Sequence, residues 1–198
     1  PQSPEFEPGT TVLDQVFKGG SPLMALIREY ESALEAVQSD PENEGKVSRL
    51  MAMSQKMDQM DAWTVEAEAK SILTQLGVTA FQAEVSTLSG GQRKRVAMAS
   101  ALISPADLLI LDEPTNHIDN EAVDWLGRYL LRRKGALLMV THDRYLLDRV
   151  CNRILELDQG QIFSYQAGYA GFLELKAQRE EMAQATERKR QSLIRTEL

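Results

Sequence analysis

The chain has 198 residues, 43% of them hydrophobic and 26% charged, with a formal net charge of −7, enough to bury one substantial core with a helical annex. No apolar run approaches the eighteen or more residues that cross a bilayer and no charged-then-apolar leader is seen, which argues against an integral membrane protein and favours a cytoplasmic one. The single cysteine, Cys151, excludes an internal disulfide framework and suits a reducing compartment.

Residues 1–84 read as helical. Thr10 or Thr11 is placed to cap a short helix that stops near Gly19. Ser21-Pro22 starts a second helix with Leu23, Leu26, Ile27, Tyr30 and Leu34 on one face, and Asp40-Pro41 breaks it. A third helix carries Val47, Leu50, Met51, Met53 and Met57, and a fourth runs from about Asp61 to Gly77. Met51, Met53, Met57 and Met60 lack a nearby cysteine or histidine, so they are assigned to packing between helices rather than to a soft metal. Gly45-Lys46 is the only Gly-Lys pair. A phosphate-binding P-loop would need glycine at position 40 and Ser or Thr at 47, where Asp40 and Val47 stand, so these residues contain no such loop.

Residues 85–167 read as an α/β lobe. In Leu88-Ser89-Gly90-Gly91-Gln92, Ser89 is a good N-cap, and the glycine pair leaves backbone N–H groups open at the start of a helix running from about Gln92 to Ile103, a phosphate cradle. Leu108 to Leu111 is a short continuous apolar run, as expected of a central parallel strand, and it ends in two adjacent carboxylates, Asp112 and Glu113. In open α/β sheets ligands bind at that edge. Neighbouring side chains on a strand point to opposite faces, so the two carboxylates divide the work: one holds Mg²⁺ and the other orients and deprotonates an attacking water. A helix with Val123, Leu126 and Leu130 follows, closed by Gly135, and then a second apolar strand, Ala136 to Val140. His142 comes just past that strand, where it would reach a terminal phosphate or the lytic water. Cys151 falls near the end of a short helix and is assigned to packing. Arg153 to Leu157 and Gln161 to Tyr165, around a turn at Asp158-Gln159-Gly160, form a hairpin expected to finish the sheet.

From Gly168 the pattern becomes one long polar helix, with Phe172, Leu175, Met182, Leu193, Ile194 and Leu198 as sparse apolar positions. Residues 176–198 hold six Lys or Arg against four Asp or Glu, so this stretch is mildly basic in an acidic chain.

These motifs closely resemble the ATP-binding cassette superfamily. LSGGQRKRVAMASAL is similar to its signature helix, LLILDEP to its Walker B strand, Asn116-His117-Ile118-Asp119 to its D-loop, and Thr141-His142-Asp143 to its switch histidine. The wording DEPTNH-x-D resembles the ABC-F subfamily of tandem-cassette translation factors, with isoleucine at position 118 where leucine is usual. Pro1-Gln2 resembles the end of the Q-loop. The resemblance implies an α/β fold, a partial P-loop NTPase with a helical subdomain (1–84), an α/β lobe (85–167) and the start of an inter-cassette linker helix (168–198). The chain then reads as an N-terminal cassette fragment cut just inside the Q-loop.

The same resemblance implies the division of roles. ATP with Mg²⁺ would sit between the Walker A of one cassette and the signature of another. Ser89, Gly90, Gly91 and Gln92 would meet the γ-phosphate held by the partner cassette, Asp112 and Gln2 would serve Mg²⁺, and Glu113 would be the general base. His142 would support the γ-phosphate and water, and Asp119 would couple the two sites. The expected partners are a second cassette and, through the linker helix, the ribosome, tRNA or another nucleic acid. Two alternatives share some of these motifs: the ATP-hydrolysing subunit of a membrane transporter, and an SMC-like DNA-repair ATPase. Against the latter, the region before the signature lacks sustained heptads. With no P-loop of its own, the fragment is expected not to complete an ATP site, and the strands that should neighbour Leu108 to Leu111 are expected to be missing, leaving an open edge.

Overall fold

The computed structural model describes residues 6–7, 9–18 and 22–197, with side chains described through residue 190. Gln2, Gly19, Ser21 and Leu198 lie outside what is described, as do the side chains of the linker positions Leu193 and Ile194. The chain divides into two compact units. One comprises the residues up to Trp125 with Lys134–Val140; the other comprises Leu126–Arg133 and everything from Thr141 on.

The first unit opens with α1 (Val12–Val16), a five-residue helix made possible by a capping box. Thr11 Oγ1 accepts the Asp14 N–H at 3.1 Å, and the Asp14 carboxylate reaches back to the Thr11 N–H at 3.1 Å. Helices α2 (Pro22–Ser39), α3 (Glu44–Gln59) and α4 (Ala62–Gln75) follow. Their core with α1 is Leu13, Phe17, Met24, Ile27, Met57, Ile72 and Leu73, all essentially without solvent exposure. Only Met57 of the methionine cluster is buried. Met51 is 68% exposed and Met60 47%, so the packing expected of them does not occur. Glu31 and Glu66 are buried instead, a charged pair that apolar periodicity does not flag.

Helix α5 (Gly90–Ile103) starts two residues earlier than expected, so both glycines lie in its first turn. It is tied into the helical layer at two points: Arg95 Nη1 donates to the Leu76 carbonyl at 3.0 Å, and Ser100 Oγ donates to the Val16 carbonyl at 3.3 Å. Strands β1 (Leu108–Asp112) and β2 (Ala136–Val140) pair in parallel, Leu108 opposite Ala136 through Asp112 opposite Val140. The continuous apolar run suggested a strand buried on both faces. Instead, Leu109 and Leu111 are buried while Leu108 and Ile110 are 51% and 62% exposed, because among the described residues nothing covers that face.

The second unit holds the latter part of α6 (Asn120–Arg132), α7 (Arg144–Val150), β3 (Ile154–Asp158), β4 (Gln161–Tyr165) and α8 (Tyr169–Glu197). The hairpin does not finish the β1–β2 sheet. It is a separate two-stranded sheet whose ladder groups are satisfied between β3 and β4, Ile154 opposite Tyr165 through Asp158 opposite Gln161. Its inner face is covered by α8. Phe172 meets Tyr165 edge to face at 5.1 Å, and Arg179 lies 3.8 Å over the Phe163 ring while its Nη1 contacts Glu156 at 3.2 Å. Leu175 and Met182, read as apolar positions of this helix, are exposed, and the docking stripe is Phe172, Lys176 and Arg179. Among the described residues no helix is long and apolar enough to cross a membrane.

Candidate functional site

The first turn of α5 is built by its own sequence. Ser89 sits in extended backbone as N-cap, its hydroxyl accepting the Gln92 N–H at 3.3 Å, and Gln92 Oε1 accepts the Ser89 N–H at 2.9 Å. Gln92, assigned to nucleotide contact, is therefore occupied in closing the capping box. Helix geometry leaves the Gly90 and Gly91 N–H groups without intrahelical acceptors. Neither glycine answers a need of this chain. A Cβ on Gly90 would meet nothing within 4 Å, and one on Gly91 would meet only His117 Cβ at an ordinary 3.9 Å. Two such donors with no side chain of their own in front of them, Gly90 exposed and Gly91 half-buried, suit an approaching phosphate oxygen.

At the end of β1, Asp112 is the last strand residue and is exposed. Glu113 leaves the strand at once, with φ at 47°, in the left-handed region where a residue with a Cβ is strained by of order 1–3 kcal/mol. The turn is held by the Glu113 N–H donating to the Val140 carbonyl at 2.7 Å and the Asn116 N–H donating to the Glu113 carbonyl at 3.2 Å. A backbone turn at Glu113, rather than strand alternation, therefore separates the two carboxylates. Among the described residues no group of three or more His, Cys, Asp or Glu side chains forms a metal cage. Asp112, an exposed carboxylate at the strand end, is of the kind Mg²⁺ takes, since that ion uses one or two carboxylates and completes its shell from phosphate and water.

His117, also left-handed at φ 72°, brings the D-loop beside the signature turn, with Lys94 Nζ 3.3 Å from its Nε2. Asp119 has a local task that the sequence reading did not give it: its Oδ1 accepts the Ala122 N–H at 2.8 Å, capping α6. An aspartate directly before an amphipathic helix carries that signal. His142 is exposed in the turn after β2, between two residues that shape it. Asp143 caps α7 by accepting the Leu146 N–H at 3.0 Å, and its own N–H donates to Thr141 Oγ1 at 3.1 Å. The structure thus places Ser89, Gly90, Gly91, Gln92, Asp112, Glu113 and Asp119 in the first unit and His142 in the second; Gln2 is outside the described residues. Burial alone pushes the Cys151 thiol up, away from the reactive thiolate, in keeping with packing.

The sequence profile of the ABC transporter family matches residues 1–116. YfmR of Bacillus subtilis, an uncharacterized ABC transporter ATP-binding protein, is 51% identical over 197 residues, covering 100% of this chain and 31% of its own length. The energy-dependent translational throttle protein EttA of Mycobacterium tuberculosis is 38% identical over 178 residues, 90% of this chain and 32% of its own. EttA of Haemophilus influenzae is 36% identical over 200 residues, 100% of this chain and 36% of its own. The chain spans about a third of the length of these relatives. The fold is that of a solved ATP binding subunit of an ABC transporter, at TM-score 0.54 and 16% identity over 84% of this chain and 57% of that one. With the profile covering more than half of its residues and such relatives matching along its length, the chain belongs to the ABC transporter family, as a cassette of the ABC-F branch.

Proposed function

We propose that this cassette serves ATP hydrolysis in a longer, cytoplasmic ABC-F protein acting on translation, with ATP and Mg²⁺ held between it and a second cassette. The observation that carries this reading is the signature turn: Gly90, exposed, and Gly91, half-buried, leave N–H groups without intrahelical acceptors where nothing in the chain itself requires glycine. Ser89 and the two glycines donate to the γ-phosphate of a nucleotide held by the other cassette, and Gln92 keeps the turn in shape. Asp112 would hold Mg²⁺, with Gln2 as the second residue assigned to it. Mg²⁺ supplies charge neutralisation on the phosphates. Glu113, set apart from Asp112 by its strained turn, takes the proton of the attacking water. His142 supports the γ-phosphate, and Asp119 couples the two sites through the D-loop that α6 and His117 hold against the signature. Catalysis then rests on positioning and charge, without a covalent intermediate.

The link to translation is supported by the throttle proteins, 36% and 38% identical to this chain. The test uses the full-length protein carrying Glu113→Gln. It is expected to bind ATP, lose at least ~100-fold in turnover as a missing general base does, and sediment with ribosomes in ATP. Unchanged turnover removes Glu113 from the role of base. Sedimentation with membranes instead of ribosomes selects the transporter alternative.

A further inference from the structure

Helix α7 begins two residues after His142 and ends beside the start of α8. Gly168 is the N-cap residue of α8, its carbonyl accepting the Phe172 N–H at 2.9 Å. With no side chain, it leaves the next N–H groups of the helix uncapped. Asp148 of α7 supplies what is missing: its Oδ1 accepts the Ala170 N–H at 3.3 Å. A Cβ on Gly168 would lie 2.6 Å from that same oxygen, so the carboxylate fills the space of the absent cap side chain. One turn earlier on α7, the Arg144 guanidinium lies 5.5 Å over the ring of Tyr169, the first residue of α8. Positions 144 and 148 share one face of α7, so the two helices meet at two points along it. Leu146, fully buried, holds the same short helix against α6, where a Cβ on Gly127 would meet its Cδ1 at 3.4 Å.

We propose that Asp148 is a positioning residue of the ATPase: by capping α8 from α7 it couples the setting of His142 to the orientation of α8. The inference rests on the proposed role of His142 at the γ-phosphate. A shift of His142 on meeting phosphate moves α7, and the Asp148 cap with the Arg144–Tyr169 contact carries that movement into α8, whose residues 181–190 are all exposed. Gly168 is the residue that keeps the cap space open.

The test uses the full-length protein with spin labels at Ala67 and Gln184, in a Cys151→Ser background, and records the distance between them with and without ATP beside steady-state hydrolysis and thermal unfolding. Asp148→Ala and Gly168→Ala are expected to reduce the ATP-dependent distance change at least threefold and kcat three- to tenfold, with KM for ATP unchanged. Gly168→Ala retains every side chain of the joint and only displaces the carboxylate. Asp148→Asn, whose amide oxygen still accepts the Ala170 N–H, is expected to restore both readouts. A full distance change and normal kcat in Asp148→Ala overturn the proposal. So does a loss in all three variants that merely follows a common fall in unfolding temperature. Failure of the ATPase reading itself registers separately, as absence of hydrolysis in the unmodified protein.

Discussion

Gly90 separates the needs of the fold from those of the ligand, because the space before it is empty and its backbone lies in ordinary helical territory. Gly90→Ala is therefore expected to leave the fold intact and raise stability by up to about 1 kcal/mol, the helix advantage of alanine over glycine. The added methyl blocks the approach of a phosphate to the turn, and hydrolysis by the full-length protein should fall at least ~10-fold, a loss of about 1.4 kcal/mol in transition-state stabilisation. Thermal unfolding and ATPase rate measured on the same variant decide it; equal activity would mean that no phosphate meets this turn. Residue types at the site were legible because Ser-Gly-Gly before a helix and Asp-Glu after an apolar strand have few other uses together. The side tasks of Gln92 and Asp119 are legible only from capping rules, and the cap from Asp148 not at all, since it joins residues twenty-two apart that no local pattern links.

Helix α2 carries a second expectation, set by a charge that its apolar face conceals. Glu31 is 5% exposed; Lys70 Nζ lies 3.4 Å from its Oε1, and Gln82 Nε2 donates to its Oε2 at 2.9 Å. Lys70 also bonds the buried Glu66, and Tyr30 stands beside the group, packed edge to face on Trp63 at 4.8 Å. Burial pushes the Glu31 carboxyl above the ordinary glutamate range; the Lys70 charge opposes this, and the neighbouring Glu66 adds to it. A carboxyl raised in the folded state binds its proton more tightly there than in the unfolded chain. Its contribution to stability is therefore present at low pH and is lost as pH rises from the ordinary glutamate range through the raised native value. Glu31→Gln removes that dependence. Urea unfolding of both forms over a series of pH values should show the difference moving in favour of glutamine across that window and constant below it; a difference independent of pH would remove Glu31 as its source. Four helices were legible in this region from breakers and caps. What escaped was the composition of their contacts, and α8 repeats the lesson: its docking stripe uses the charged heads of Lys176 and Arg179 against Glu156 and the Phe163 ring, which a count of apolar positions passes over.

Among the described residues both sheets are two-stranded, and in the first unit the consequence is an open apolar face: Leu108, Ile110, Leu138 and Val140 are each about half exposed or more. A strand exposed on one face cannot be told by its pattern from one buried on both when every residue in it is apolar. Such a face, bordered by unpaired ladder groups, is a template for association. The 198-residue chain on its own is therefore expected to self-associate with rising concentration and to bind a hydrophobic dye. The two faces of β1 respond oppositely to substitution. Leu109→Ala removes a buried side chain and should cost about 2–4 kcal/mol, read as a lower denaturant midpoint. Ile110→Thr keeps β-branching on the exposed face, leaves that midpoint within about 0.5 kcal/mol, and lowers the apolar area available to a neighbour. Sedimentation velocity over a concentration series should then show less association for Ile110→Thr than for the unmodified chain. If Ile110→Thr instead lowers the midpoint as Leu109→Ala does, the face is closed in solution and the strand is buried on both sides after all.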